Sequence, residues 1–153
     1  MKTAIAMIAM TLAPAAQACT APPNLPAIRA DLLTAVNAAR HSHNLAALAR
    51  SGPLSTVAQA LACDNAARRA VSHTGANGST LASRLTAVAY PYSNAAENAA
   101  AGFADAKSVT AGWMTSPPHR KNILTAPLRD LGVGVAQGSD GLLYWIIDMG
   151  VAR

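Results

Sequence analysis

Three side chains in this sequence have the chemistry of a metal site or of a proton-transfer site: His73, Glu97 and His119. Neutral imidazole nitrogens and carboxylate oxygens bind Zn²⁺ and similar divalent ions, and water completes the shell of an open site. A metal-bound water can act as a nucleophile in hydrolysis, and the same side chains can exchange protons without a metal. If the three residues converge, the sequence predicts a divalent-metal site, with zinc as the expected ion, or a metal-dependent hydrolase.

Two other arrangements of the same three residues are non-catalytic. In one, Glu97 accepts hydrogen bonds from one or both histidines and ties helix ends to a sheet. In the other, the three side chains line a groove that binds an apolar or anionic ligand. Catalysis needs in addition a general base and a group that stabilises developing negative charge, and no further carboxylate can be located from the sequence. We therefore expect binding rather than catalysis.

A serine nucleophile is a weaker hypothesis. Ser72 and Ser116 lie near the two histidines in sequence, but such adjacency points side chains apart. Asp148 lies in a predicted strand with no evident approach to either serine, so we expect no Ser-His-Asp triad.

Each of the three residues has a defined place in the predicted secondary structure. His119 follows a proline pair, which fixes two φ angles and ends the preceding helix, so His119 should open a new segment on a rigid corner. His73 should lie at the C-terminal end of a helix that begins near Ser55, where the helix dipole favours the imidazolium. Glu97 is embedded in alanines, so either it faces solvent or a cation, a metal or an imidazole meets it.

The elements around these residues predict an α+β fold. Apolar residues recur at three- and four-residue steps over residues 27–41, a second helix covers about 55–72, and Asp105 caps a later helix. Two strands follow, at 131–135 and 142–149, joined by a hairpin loop. Helices that precede strands favour an antiparallel sheet over alternating parallel units.

The N-terminus has the order of a secretory signal peptide. Residues 1–18 contain an early lysine, a short apolar run and small residues before Cys19, and the run is too short to span a bilayer in the mature protein. Residues 19–26 then form a proline-rich lead, and residues 27–153 form one domain of a secreted or periplasmic protein, expected to be a monomer. The chain has two cysteines, so we expect a disulfide bond between Cys19 and Cys63. Acylation of Cys19 in a lipoprotein is the alternative.

The charge pattern argues against a nucleic-acid partner. The formal net charge is +5, and the basic residues are scattered along the chain rather than gathered in a stripe. A protein that binds nucleic acid usually shows a basic stripe with interleaved aromatic residues, which this chain lacks. Its positive charge favours anionic surroundings without naming a ligand.

Four short motifs follow one another along the chain: Ser72-His73-Thr74, Ala96-Glu97-Asn98, Trp113 with Ser116-Pro117-Pro118-His119-Arg120-Lys121-Asn122-Ile123-Leu124, and Leu131-Gly132-Val133-Gly134-Val135. In this order and spacing they resemble the bacterial CAP or SCP-like family, relatives of cysteine-rich secretory proteins, antigen 5 and plant pathogenesis-related proteins. The resemblance extends over nearly all of the chain after residue 18.

This resemblance implies a three-layer α-β-α sandwich with a central antiparallel sheet and a cleft that holds two histidines and up to two glutamates. It implies that His73 and His119 are the cleft histidines and Glu97 the first glutamate, whereas Ser116 stands where animal and plant members carry the second. Members of the family have been linked to sterol and lipid binding, and protease activity has been proposed for some. The expected function is an exported domain that binds a lipid, a cell-envelope component or a divalent metal, with peptide or cell-wall hydrolysis as the alternative.

Overall fold

A sheet carries the candidate residue Glu97, and helices cover both faces of that sheet. The computed structural model describes residues 19–153, so the predicted signal peptide, residues 1–18, lies outside the described part of the chain. In chain order the elements are α1 Leu25–His41, β1 Ala49–Arg50, α2 Gly52–Arg68, α3 Leu81–Ala87, β2 Tyr92–Ala101, α4 Ala106–Thr115, α5 Pro117–Ile123, β3 Asp130–Gln137 and β4 Leu143–Ala152.

The strand order of the sheet is β1-β3-β4-β2, so the long strand β2 lies at one edge. β3 pairs antiparallel with β4, which confirms the predicted hairpin, and β4 pairs antiparallel with β2, in keeping with the predicted antiparallel sheet. β1 adds a two-residue parallel pairing to β3, so the sheet is mixed. A two-residue strand is too short to show a period of two, so the sequence analysis predicted no strand there.

The three layers follow from the alternation of side chains along the strands. One face of the sheet packs against α1, α4 and α5 through Val133, Val135, Trp145 and Ile147. The opposite face packs against α2 through Ala136, Tyr144 and Ile146. Successive residues of a strand point to opposite faces, so odd-numbered positions of β3 and β4 serve one layer and even-numbered positions the other. The predicted α-β-α sandwich is confirmed.

The second helix differs from its predicted limits at both ends. It begins at Gly52 rather than near Ser55, because the side chain of Ser51 caps it by accepting a hydrogen bond from the backbone N–H of Leu54. It ends at Arg68, and Arg69 adopts a left-handed conformation with φ 52° as the C-cap. The helix was predicted to continue to about residue 72. The early stop places His73 in a loop.

The predicted disulfide bond between Cys19 and Cys63 is present, and it ties the start of the described chain to α2. Because the sulfur of Cys19 is bonded to Cys63, it is not available for acylation in this structure. Among residues 19–153, no helix is long and apolar enough to cross a membrane.

Replacing Ser51 by alanine should lower the free energy of unfolding by about 1 kcal/mol, the usual cost of losing an N-cap side chain. The reason is that the Leu54 N–H, 3.3 Å from the Ser51 hydroxyl oxygen, would lose its partner in a buried setting. Urea unfolding of S51A would measure the loss. The exposed Thr56, which begins no helix, provides the control T56A. An S51A midpoint equal to that of T56A would contradict the assigned cap.

Candidate functional site

Glu97 lies at the centre of the site and is buried, with 4% of its side chain exposed. Its Oε1 lies 2.8 Å from Nδ1 of His73, and its Oε2 lies 2.5 Å from Nη2 of Arg84. The sequence left two options for this carboxylate: exposure to solvent, or contact with a cation, a metal or an imidazole. A cation and an imidazole both contact it, one at each oxygen.

His73 lies in the loop after α2, not at a helix C-terminus as the sequence predicted. The loop is held from both sides, since Asn65 donates to the carbonyl of Ser72 and Arg84 donates to the carbonyl of His73. The imidazole itself is largely exposed, at 59% of its side-chain area. With Nδ1 directed at Glu97, the Nε2 atom is the one available to other groups.

The hydrogen bond to Glu97 raises the pKa of the His73 imidazole above its ordinary value. Partial burial opposes this effect, and the negative charge of Glu97 reinforces it, while the positive charge of Arg84 weakens it. A helix dipole was the predicted cause, but α2 ends five residues earlier, at Arg68. The preference of His73 for the cationic form therefore comes from a tertiary contact.

His119 lies on α5, and the proline pair before it forms the first turn of that helix rather than a separate corner. Proline suits this position because its missing N–H would have no partner in the helix. Nδ1 of His119 lies 2.9 Å from the hydroxyl oxygen of Ser116, the residue that joins α4 to α5. Sequence adjacency was expected to point these two side chains apart, and that expectation was wrong because the bend at Ser116 brings them together.

Burial lowers the pKa of the His119 imidazole, and a positive charge on His73 lowers it further. A positive charge on His73 therefore disfavours a second positive charge on His119. His73 is the one that favours the cation, and His119 is the one that favours the neutral form. Because the pKa shifts of the two imidazoles are opposite, the site favours one protonated histidine rather than two.

Two asparagines that the sequence analysis did not assign to the site attach α5 to the edge strand β2. Asn98 donates to the carbonyl of His119 at 3.0 Å. Asn122 donates to the carbonyl of Glu97 at 3.1 Å and to the side-chain oxygen of Asn98 at 2.9 Å. The bond from Asn122 to Glu97 uses a backbone carbonyl of the edge strand, and the three bonds together hold His119 beside the strand that carries Glu97.

The other end of α5 is anchored by Arg40 of α1, which is completely buried. Its guanidinium donates to the carbonyls of Ile123 at 2.7 Å and Thr125 at 3.0 Å, and also to that of Ala46 at 2.9 Å. A buried guanidinium needs such acceptors to offset the loss of hydration. Arg40 thereby helps to fix the helix that positions His119.

Arg84 is the site residue that the sequence analysis missed, although a signal for it existed. Leu81, Leu85 and Val88 lie at three- and four-residue steps on the buried side of α3, and position 84 falls within that stripe. An arginine on the apolar side of a helix requires a buried acceptor. Glu97, a carboxylate that needs a partner when buried, was the acceptor to match with it.

The structure brings His73 and Glu97 into direct contact, and it places His119 near His73 without a hydrogen bond to Glu97. Among residues 19–153, no group of three or more His, Cys, Asp or Glu side chains is arranged to hold a metal ion. Both oxygens of Glu97 already face cationic donors, so the donor set does not suit a metal site in which Glu97 is a ligand. Zinc binding by His73, Glu97 and His119 stays a prediction.

Comparisons with known proteins agree with this architecture. Among solved structures, an extracellular protein containing an SCP domain from Bacillus anthracis superposes with a TM-score of 0.73 and 28% identity, over 82% of this chain and 40% of that one. An outer surface protein from Borrelia burgdorferi superposes with a TM-score of 0.73 at 21% identity, over 80% of this chain and 90% of that one, and this likeness shows the fold alone.

The sequence is also similar to that of one bacterial relative and to a protein family. An uncharacterized membrane protein of Bacillus subtilis, YlbC, is 32% identical over 104 residues, which are 68% of this chain but only 30% of that relative. The chain therefore spans less than half the length of two of the proteins it matches. Residues 33–149 match the cysteine-rich secretory protein family, known as CAP. With that match across most of its length and with the sandwich fold, this chain belongs to the CAP family.

Proposed function

We propose that this chain is an exported, monomeric CAP domain that binds an anionic group at a site that includes His73 and His119, and that it does not catalyse hydrolysis. The anionic group would be a phosphate or carboxylate of a lipid or another cell-envelope component. Support for export comes from the predicted signal peptide, from the disulfide bond, and from a similar structure described as an extracellular protein.

The observation that carries the proposal is the pair of cationic groups on one carboxylate. Glu97 carries one negative charge and contacts both Arg84 and His73, whose raised pKa favours its cationic form. The guanidinium and a protonated imidazole outweigh the single carboxylate by one charge. Because Nδ1 of His73 faces Glu97, the excess charge is presented to solvent through the exposed side of the imidazole.

The same contacts make Glu97 a poor general base. A base must accept a proton from the reacting group, and each oxygen of this carboxylate already accepts from a cationic donor. Ser116, at the position where some relatives carry a second glutamate, supplies no carboxylate either. Binding therefore fits the arrangement better than acid–base catalysis.

One observation favours a hydrolytic alternative, namely the 2.9 Å contact between Ser116 Oγ and Nδ1 of His119. The lowered pKa keeps this imidazole neutral, as a general base must be. However, among residues 19–153 no carboxylate hydrogen-bonds the imidazole of His119 to orient it as in a catalytic triad. Hydrolysis therefore remains the second candidate.

Inorganic phosphate is the simplest probe of the proposed site. We expect it to shift the NMR signals of His73 at pH 6, with an affinity that falls at least about tenfold as pH rises through the pKa of that imidazole. The sign follows from the raised pKa, since the cation that attracts phosphate is present below that pKa and lost above it. H73N should abolish the shift, whereas H41N, at an exposed position at the end of α1, should not. A phosphate affinity that does not change with pH and is the same in H73N as in the wild type would contradict the proposal.

Three further measurements separate the alternatives. Flotation with phosphatidylglycerol vesicles, compared with phosphatidylcholine vesicles, would identify a lipid as the source of the anionic group. Stoichiometric zinc uptake that is lost in the double variant H73A/H119A would show that the ligand of the site is a metal ion rather than an anion. Peptide or cell-wall hydrolysis that disappears in a folded E97Q variant would establish the hydrolase, and hydrolysis lost in S116A would assign it to the serine.

A further inference from the structure

A second carboxyl group, Asp148, lies directly beside Glu97 inside the fold. It occupies β4 and is the cross-strand partner of Glu97 on β2, with Gly132 opposite it on β3. Directly opposed residues of antiparallel strands point to the same face, with Cβ atoms about 5 Å apart. Asp148 has no exposed surface at all. From the sequence, Asp148 had no evident approach to Ser72 or Ser116, and the register of β2 and β4 places it beside Glu97 instead.

No donor among the described residues hydrogen-bonds either carboxyl oxygen of Asp148. Its polar neighbour is the carboxyl group of Glu97, which is also an acceptor. Two carboxyl groups can form a hydrogen bond only when one of them carries a proton. The surroundings of the pair therefore decide where that proton resides.

The charges around the pair favour the proton on Asp148. Glu97 receives two donors, Nδ1 of His73 and Nη2 of Arg84, and hydrogen bonds to the ionised form of a carboxyl group stabilise that form. Asp148 receives none, and its burial raises the pKa of its carboxyl group well above the ordinary value, as does the negative charge of Glu97. Arg84 opposes this increase, but its Nη2 is paired with Glu97, and its Nε makes no hydrogen bond to Asp148.

We propose that Asp148 is protonated at neutral pH and donates its proton in a hydrogen bond to Glu97, so that the buried pair carries one negative charge, located on the residue that holds His73. Asp148 is then a positioning residue, because it contacts no ligand and acts through Glu97. The charged groups that face it are Glu97 from β2 and Arg84 from α3, with His73 on the far side of Glu97. The protonation of Asp148 does not depend on the proposed function. Only its consequence, that the anion site keeps its excess positive charge, rests on the proposed function.

The protonation state of Asp148 can be tested by stability measurements that need no ligand. If Asp148 is protonated in the folded protein and ionised in the unfolded chain, the native state holds one more proton than the unfolded chain above about pH 4. The wild-type unfolding constant should then rise with pH relative to that of D148N, by up to about tenfold per pH unit, until Asp148 ionises in the fold. Asparagine cannot titrate and keeps the shape and a hydrogen-bond donor of the protonated acid.

Urea titrations of wild type and D148N from pH 5 to pH 8 measure this ratio, and D31N, at an exposed position on α1, controls for the loss of one formal charge. A ratio that stays constant across this range would overturn the proposal. If D148N does not fold, the ¹³C carboxyl resonance of Asp148 in the wild-type protein decides instead. At pH 7 it should lie at the shift of a protonated acid, and the shift of a carboxylate would refute the shared proton.

The outcome is separable from that of the proposed function. A protonated Asp148 in a protein that does not bind phosphate would leave this inference intact and contradict the anion site. Phosphate binding with an ionised Asp148 would do the reverse. Where both hold, D148N should retain the phosphate affinity of the wild type and the pH at which His73 titrates, because the amide is neutral like the acid that it replaces.

Discussion

Replacing Arg84 by methionine should lower the free energy of unfolding by about 3–5 kcal/mol, the range observed when one partner of a buried ion pair is removed. Methionine fills much of the same space but leaves the carboxylate of Glu97 buried with the exposed His73 as its remaining cationic partner. The substitution also removes the donor to the carbonyls of His73 and Ser79, which shape the loop that carries the imidazole.

The double variant R84M/E97L distinguishes a buried-charge penalty from a general loss of packing. Replacing both members of a buried pair by apolar residues is often close to neutral, so the double variant should be more stable than R84M alone. Both can be compared by urea unfolding at pH 7. If R84M costs less than about 1 kcal/mol, or if the second substitution only adds a further loss, the buried pair does not have the role assigned to it.

Replacing Gly134 by alanine should destabilise the protein by about 3 kcal/mol, at the upper end of the costs of overpacking. A Cβ atom built on Gly134 would lie 2.2 Å from backbone atoms of Ala58, and one on Gly132 would lie 2.1 Å from the backbone of Leu54. Backbone atoms in the middle of α2 cannot move aside as a flexible side chain can. The alanine would therefore have to displace α2 from β3.

The matched control is Gly52, the first residue of the same helix, where an added Cβ meets nothing within 4 Å. G52A should be neutral or slightly stabilising, because alanine restricts the unfolded chain and costs nothing in the fold. Thermal unfolding of the two variants under the same conditions gives the comparison. Equal stabilities for G134A and G52A would show that the packing of α2 on β3 does not require glycine at position 134.

Local sequence patterns determined much of the architecture. Asp105 caps α4 as predicted, with its Oδ1 accepting from the N–H of Ser108 at 2.7 Å. The alternation of residues 131–135 and the apolar run of residues 142–149 correctly predicted the β3–β4 hairpin. A helix cap depends on residues three positions apart, and a strand can be recognised from the alternation of its own side chains with a period of two. Neither requires knowledge of the rest of the chain.

The sequence by itself also identified the polar residues that need an explanation, because glutamate and histidine in an alanine-rich context are conspicuous by type. It correctly anticipated that Glu97, if not exposed to solvent, would have an imidazole or a cation as partner. It could not say which cation, since Arg84 and Glu97 are brought together by the packing of a helix on the sheet. Side-chain type shows that a partner is needed, and only the fold selects it.

Tertiary structure alone decided which ionisable groups of the site face one another. The register that sets Asp148 opposite Glu97 joins residues from two strands about 50 positions apart, and nothing in either local pattern specifies it. A register shift of one residue would send Asp148 to the opposite face of the sheet and leave Glu97 as an isolated buried carboxylate. Residue types and local periods thus determined which elements and which reactive groups this chain contains, whereas long-range pairing decided which groups share a charge, because hydrogen bonds and buried charges act only across a few ångströms.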